Sequence, residues 1–352
     1  MTLSVPSHGV AQEVQTRPQA CDVFLLPPFP EGWYFVGSRR AVLKEKLTQR
    51  TWMGEEIILW CDDKERICVA ESVCPHLGSK LGPDVGGKVH YGCLVCPFHG
   101  YRYDATGKCV GTPYAPAPRA TRLRVFETRV MGDLIFAWWG NSQRPPQWDL
   151  PEDPPAGAEW CEIGYRTMRF PGHPQETTEN VVDIAHLRYV HGYNSVHQVG
   201  STSVDGPHLK NCFDFKRTRI IAGIKSSYDV SAIADVYGFG YSYIDIREHS
   251  IGMDGRLWVL ATPVDDTLLE MTLAGQIRTL RKPKRFFAGL RFLLPKWRTR
   301  IMNRIILTEQ KRDVLQDVTI WGQKRYRSSP RLCQSDGEIG KYRRYCKQFY
   351  PE

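Results

Sequence analysis

Cys74-Pro75-His76-Leu77-Gly78 and Cys96-Pro97-Phe98-His99-Gly100 decide how this chain is read. Each stretch offers one sulfur and one imidazole, and 19 residues lie between His76 and Cys96. A proline with fixed φ stands between the two donors of each stretch, and a glycine follows where the chain must turn around a bulky group. Two thiolates on one iron and two neutral imidazoles on the other are the ligands of a histidine-bound [2Fe–2S] cluster, whose potential is raised by the nitrogen ligands. Cys74, His76, Cys96 and His99 are therefore the expected cluster ligands, and the chain is expected to relay electrons. A structural zinc site is the alternative, because Cys93 and Cys96 also form a C-x-x-C. The one-sulfur, one-nitrogen composition of each stretch favours the cluster and leaves Cys93 as a non-ligand thiol, buried or near the cluster.

Outward from these loops, short β-type runs alternate with turns: Trp33 to Gly37, Glu56 to Cys61, Ile67 to Glu71, Thr121 to Glu127 and Leu134 to Trp139. They predict a small all-β domain over 28–142, preceded by a loose arm over 1–27. A proline-rich linker is expected over 143–157. Residues 158–352 read as mixed structure, so the fold class is α+β. A helix is predicted from Asn180 to Tyr189 and a long one from about Lys296 to Lys324. Strands with hairpins are predicted over Arg217–Tyr243 and Ser250–Arg278, turning at Asp254-Gly255 and Asp265-Asp266.

The 352 residues provide ample core for two domains. Eleven cysteines at irregular spacing do not form a disulfide framework. Reduced thiols beside an iron–sulfur ligand set point to the cytoplasm. No apolar run reaches the roughly 18 to 20 residues of a bilayer span, and no secretory signal opens the chain. The net charge of +9 comes without a nucleic-acid motif, so nucleic acid is excluded and an acidic redox partner is the better fit. Between Arg278 and Arg304 basic residues interleave with Phe286, Phe287, Leu290, Phe292, Leu293 and Leu294. That pattern reads as a solvated helix face over a core stripe, or as an element touching a membrane surface or guarding an apolar entrance.

A second metal is expected beyond the linker. In the stretch Glu179 to His191, residues Asn180, Asp183 and His186 recur every third position, one turn apart on one side of a helix. His191 stands five past His186, so both meet one ion only if the helix widens or ends between them, as unwinding near Gly192 allows. Two histidines and a carboxylate with open positions form the facial triad of non-heme Fe(II) oxygenases. Glu309, Asp313 and Asp317 are the carboxylates of the last long helix. Asp317, flanked by Val314, Leu315, Val318, Ile320 and Trp321, most needs a cation. Asp183 and Asn180 are the candidate catalytic residues that are not ligands. The Asp183 carboxylate is expected to fix the His186 tautomer, and its other oxygen to accept from a cluster histidine.

The motifs C-P-H-L-G at 74–78, C-P-F-H-G-Y-x-Y at 96–103 and E-N-x-x-D-x-x-H-x-x-x-x-H at 179–191 together resemble those of Rieske-type non-heme iron oxygenases, along nearly the whole chain. Within that family F-P-E-G-W-Y at 29–34, D-x-x-I-W-x-x-K at 317–324 and the terminal L-C-x-x-D-G-x-x-x-x-Y-R-R-Y-x-x-Q-F-Y resemble the steroid branch, the 3-ketosteroid 9α-hydroxylase oxygenase components and cholesterol 7-desaturases. The resemblance implies an N-terminal Rieske domain, a helix-grip catalytic domain, and Fe(II) held by His186, His191 and a late aspartate. It also implies a homotrimer, in which Asp183 links one subunit's cluster to the neighbour's iron. The expected reaction is O2-dependent hydroxylation or desaturation of a hydrophobic polycyclic substrate, a steroid or sterol. Electrons would come from NAD(P)H through a separate ferredoxin or flavin reductase, since no dinucleotide fingerprint occurs. The alternatives are an oxygenase of aromatic or alkaloid natural products and a ferredoxin-type carrier with no oxygenase activity. Animal desaturases of this branch carry an N-terminal membrane anchor; the sequence shows none, which points to a soluble protein.

Overall fold

The apolar run Ile57-Ile58-Leu59-Trp60 is buried throughout because its strand separates two cores. Ile57 and Leu59 face Tyr34, Val36 and Ile135, while Ile58 and Trp60 face Cys68, Leu81 and the two loop cysteines. The computed structural model describes residues 26–155, 157–221, 224–280 and 292–350. After β1 (Gly32–Ser38) and α1 (Arg39–Glu45), strands β2 (Leu47–Trp52), β3 (Glu55–Cys61) and β4 (Ile67–Glu71) form one antiparallel sheet. A second consists of β5 (Lys88–His90), β6 (Cys93–Val95), β7 (Arg102–Tyr103) and β8 (Cys109–Gly111). β9 (Thr128–Met131) and β10 (Leu134–Trp139) complete a third with β1.

The strand expected over Thr121 to Glu127 does not form. Its backbone bonds in turn to separate partners, Leu123 to Gly107 and Phe126 to Val69, so no continuous ladder develops.

The second half is one antiparallel sheet with helices, in keeping with the expected α+β class. Strands β11 (Gly164–Pro171), β12 (Asn194–Gln198), β13 (Ser203–Asp205), β14 (His208–Ile221), β15 (Ile224–Tyr237), β16 (Tyr241–Glu248), β17 (Met253–Pro263) and β18 (Leu268–Ile277) are arranged β11-β18-β17-β16-β15-β14-β12, with β13 beside β14. Short α2 (Pro174–Thr178) and α3 (Ala185–Tyr189) follow β11. The long α4 (Pro295–Trp321) packs Leu307, Val314, Val318 and Trp321 over Met168, Phe170 and Leu273 of the sheet. α5 (Ile339–Cys346) seals Val182, Val236 and Phe239 with Tyr342 and Tyr345.

The turn at Asp265-Asp266 is present, with Asp265 Oδ1 accepting from the amides of Thr267 and Leu268. The turn expected at Asp254-Gly255 lies instead between Glu248 and Met253. There the Glu248 carboxylate binds the amides of Asp229, Ser250 and Ile251, and Asp254 and Gly255 belong to β17. The predicted helix over 180–189 is also broken. A 3-10 turn covers Glu179–Val181, and α3 begins only at Ala185. The cause is local: the His186 ring takes the Asp183 carbonyl, which a continuous helix would offer to a main-chain amide.

Trp33, Phe35, Phe136 and Trp138 pack directly on Tyr241, Trp258, Leu260 and Ala274, so the two halves share a core. Half-buried Arg50 and buried Glu270 add an ion pair of 2.7 Å across the join. Residues 1–25 of the expected arm and 281–291 of the expected basic segment lie outside the described residues. From Pro295 onward that segment is the start of α4, with Trp297 exposed on its first turn. Among the described residues, no helix is long and apolar enough to cross a membrane.

Candidate metal centres and active site

The two ligand loops are built alike. In the first, the Cys74 amide donates to Ser79 O at 2.8 Å and the Gly78 amide to Cys74 O at 2.9 Å. In the second, the Cys96 amide donates to Tyr101 O at 2.9 Å and the Gly100 amide to Cys96 O at 3.0 Å. Gly78 and Gly100 close these turns at φ +76° and +69°, where a side chain is strained. Both cysteines are buried, the histidines are half-buried at the surface end, and the two imidazole centroids lie 4.9 Å apart. Tyr101 stacks on His76 at 4.2 Å, and Tyr103 Oη lies 3.0 Å from Cys74 Sγ.

The donor set fits a two-iron cluster. Burial pushes the Cys74 thiol up, and the neighbouring Cys96 sulfur adds to this while Tyr103 opposes it; a cation would release that proton. His99 Nδ1 is buried without a hydrogen-bond partner among the described residues, as a metal-facing nitrogen would be. Zinc fits less well. One tetrahedral ion with bonds of about 2.0–2.3 Å would draw its donors into a tight group. Among the described residues, the single group of three or more such donors within 4.8 Å is elsewhere. Cys93 starts β6, whose next residue, Leu94, enters the core with Cys74 and Cys96. By strand alternation Cys93 faces the other way, and burial holds its thiol up.

That other group is His186, His191 and Asp317, whose ligand atoms lie within 4.8 Å of one another. α3 ends at Tyr189 and Gly192 adopts φ +65°, so the chain turns His191 back toward His186, with ring centroids 5.3 Å apart. His186 Nδ1 meets the Asp183 carbonyl and His191 Nδ1 meets Gln316 Oε1 at 2.9 Å, which leaves both Nε2 atoms to face inward. His191 Nε2 stands 3.3 Å from Asp317 Oδ2. Burial holds His186 below its ordinary value, hence neutral as a metal ligand must be. Burial also opposes protonation of His191, but Asp317 and Gln316 outweigh it and raise that imidazole.

Of the three candidate carboxylates, Asp317 alone meets the histidines. Asp313 accepts from Tyr193 Oη at 2.8 Å and lies 3.4 Å from Arg217, and Glu309 pairs with Arg312. The expectation for Asp183 needs correction. Its carbonyl, not its carboxylate, holds the His186 ring; Oδ1 instead lies 3.4 Å from the His186 amide. Asn180 is half-buried on the wall of the cavity that contains the three donors.

Sequence reasoning missed Gln316, since nothing in its neighbourhood distinguishes it from an exposed helix residue. It also missed a charge network around two buried carboxylates: Glu179 binds Arg343 and, at 3.2 Å, Lys324, which lies 3.2 Å from Glu176 as well. Glu179 and Lys324 both stand in the quoted motifs, but neither motif tells that they meet.

Residues 32–127 match the Rieske [2Fe-2S] domain family, and residues 137–350 match the family described as the 3-ketosteroid 9alpha-hydroxylase C-terminal domain. Cholesterol 7-desaturase nvd 1 of Ciona intestinalis is 28% identical over 358 residues, covering 93% of this chain and 70% of that protein. A 3-ketosteroid-9-alpha-monooxygenase, oxygenase component, of Rhodococcus rhodochrous is 27% identical over 337 residues, covering 92% and 83%. The structure of dicamba monooxygenase bound to 3,6-dichlorosalicylic acid shares the fold, with TM-score 0.68 at 16% identity over 90% of this chain and 96% of that one. Fold and matches together define a Rieske non-heme iron oxygenase, a class that works with a [2Fe–2S] cluster and a mononuclear iron. Within that class the chain belongs to the family of the 3-ketosteroid 9α-hydroxylase C-terminal domain.

Proposed function

We propose that this protein is the oxygenase component of a multicomponent system that uses O2 to hydroxylate or desaturate a steroid or sterol. The observation that carries the site is the convergence of His186, His191 and Asp317 within 4.8 Å at the wall of a largely apolar cavity. The substrate class rests on the names of the relatives, cholesterol 7-desaturase and 3-ketosteroid-9-alpha-monooxygenase. When bound, the cluster supplies single electrons and the mononuclear iron activates O2 beside the substrate.

In this reading Cys74, Cys96, His76 and His99 hold the cluster at the surface end of the first domain. His186, His191 and Asp317 would hold the iron at the wall of the cavity. The Asp183 carbonyl and Gln316 keep both imidazoles in one tautomer. The Asp183 carboxylate, which does not bind the His186 ring, is left to accept from a cluster histidine of a second copy in a homotrimer. Asn180 borders the cavity beside it. Leu257, Val259, Met271 and Leu273 line the cavity and exclude water around a hydrocarbon substrate. NAD(P)H would feed the system through a separate ferredoxin or flavin reductase, in the cytoplasm.

The test is turnover of a steroid panel with NAD(P)H, O2 and a compatible reductase, run alongside Asp317→Ala. Wild type is expected to oxidise at least one steroid. The variant is expected to lose that activity at least 100-fold and keep the cluster's visible spectrum. Failure on every steroid would overturn the substrate, and full activity in the variant would overturn the site.

A further inference from the structure

The iron-site cavity has a neighbour. A second cavity lies between the sheet and α4, and its apolar wall includes Phe215, Val230, Met253, Met302, Ile305 and Ile306. The two cavities share Leu257 and Gln310, so a wall one side chain thick separates them. A single stripe of α4, through Met302, Ile306, Gln310, Asp313 and Asp317, floors both. Met302 and Asp317 are 15 positions apart on that helix, which corresponds to a length of about 22 Å.

The charged groups on the wall of the second cavity are engaged by the protein. Glu248 is bound by three backbone amides, and Arg256 lies 3.9 Å over the Trp160 ring and bonds to Pro155 O. Arg217 bonds to Tyr193 Oη at 3.0 Å beside Asp313, and Glu309 is paired with Arg312. What remains for a ligand is hydrocarbon surface. Gln310 is half-buried in that dividing wall, and its amide has no partner among the described residues, so no hydrogen bond holds it there.

We propose that the two cavities form one elongated substrate slot. The ring system lies at the His186–His191–Asp317 end, and an aliphatic side chain passes Leu257 and Gln310 to end among Met302, Ile305 and Ile306. The preferred substrate is then a sterol that keeps its side chain rather than a tailless steroid. This rests on the steroid reading above.

The experiment measures Kd of the full-length holoenzyme for steroids of one nucleus carrying 17-alkyl chains from none to eight carbons. Each methylene that enters the second cavity is expected to tighten binding about fourfold. In Ile306→Trp, and separately in Met302→Phe, the gain per methylene is expected to flatten, a readout that a general loss of stability would not produce. Equal Kd along the series, or an unchanged slope in both variants, would overturn the slot while leaving the steroid reading in place. If no member of the series bound, the steroid reading would fail and take this one with it.

Discussion

His186 and His191 each turn Nδ1 toward an oxygen of the protein, a backbone carbonyl for one and the Gln316 amide for the other. Such partners set ring angle and tautomer, and losing one typically costs about 10–100-fold in metal affinity. Gln316→Leu is expected to lower mononuclear iron affinity by about that factor without bleaching the cluster, as read by iron titration of the apo site. His173 is a different kind of histidine. It caps α2 by accepting from the Gln175 amide, its Nε2 meets Pro27 O, and burial pushes its pKa down to about 4. The unfolded chain takes up this proton near its ordinary value, so between about pH 6.5 and 4 it binds more protons than the fold. Stability therefore falls as pH drops through that window. Between pH 7 and 5 the loss assignable to His173 is about 2 kcal/mol, measurable as the difference in denaturation free energy between wild type and His173→Asn. A similar loss in both proteins would contradict the assignment. The spacing of the metal donors made His186, His191 and Asp317 legible in the sequence, because few arrangements explain an acid inside Val314, Leu315, Val318 and Trp321. Gln316 and His173 were not legible, since their partners come from elsewhere in the fold.

At the scale of elements, the segment from α2 to β12 shows what periodicity cannot tell. Its three-residue spacing reads as one helix, yet it folds as α2, a 3-10 turn and α3, because a side chain competes for the Asp183 carbonyl. The end of α3 before Gly192 was legible, since five residues between the histidines require it. The segment is anchored from behind by Glu179, which joins Lys324 beyond α4 and Arg343 of α5. A buried carboxylate between two cations is costly to remove, because Arg343 loses its carboxylate partner and Lys324 keeps only Glu176. Glu179→Gln is expected to lower stability by about 3 kcal/mol, measured by chemical denaturation, and to loosen iron binding together with it. Strands of continuous apolar sequence, such as β3, were recognised from composition alone. The turn before β17 was missed because a glutamate side chain, rather than an Asp-Gly pair, builds it.

At the scale of the molecule, the sequence separated a β domain with two donor loops from a mixed domain with a second donor set. It could not show that the two halves share a core through Trp33, Phe35, Tyr241 and Trp258, since that packing joins residues about 200 positions apart. The central claim is that one chain carries both a histidine-bound [2Fe–2S] cluster and a separate mononuclear iron. Iron and acid-labile sulfide counted on the reconstituted protein, wild type beside His186→Ala, test it most directly. The account predicts about three irons and two sulfides per wild-type chain, and about two of each in the variant. Two irons in both proteins, or zinc in place of the cluster, would contradict it.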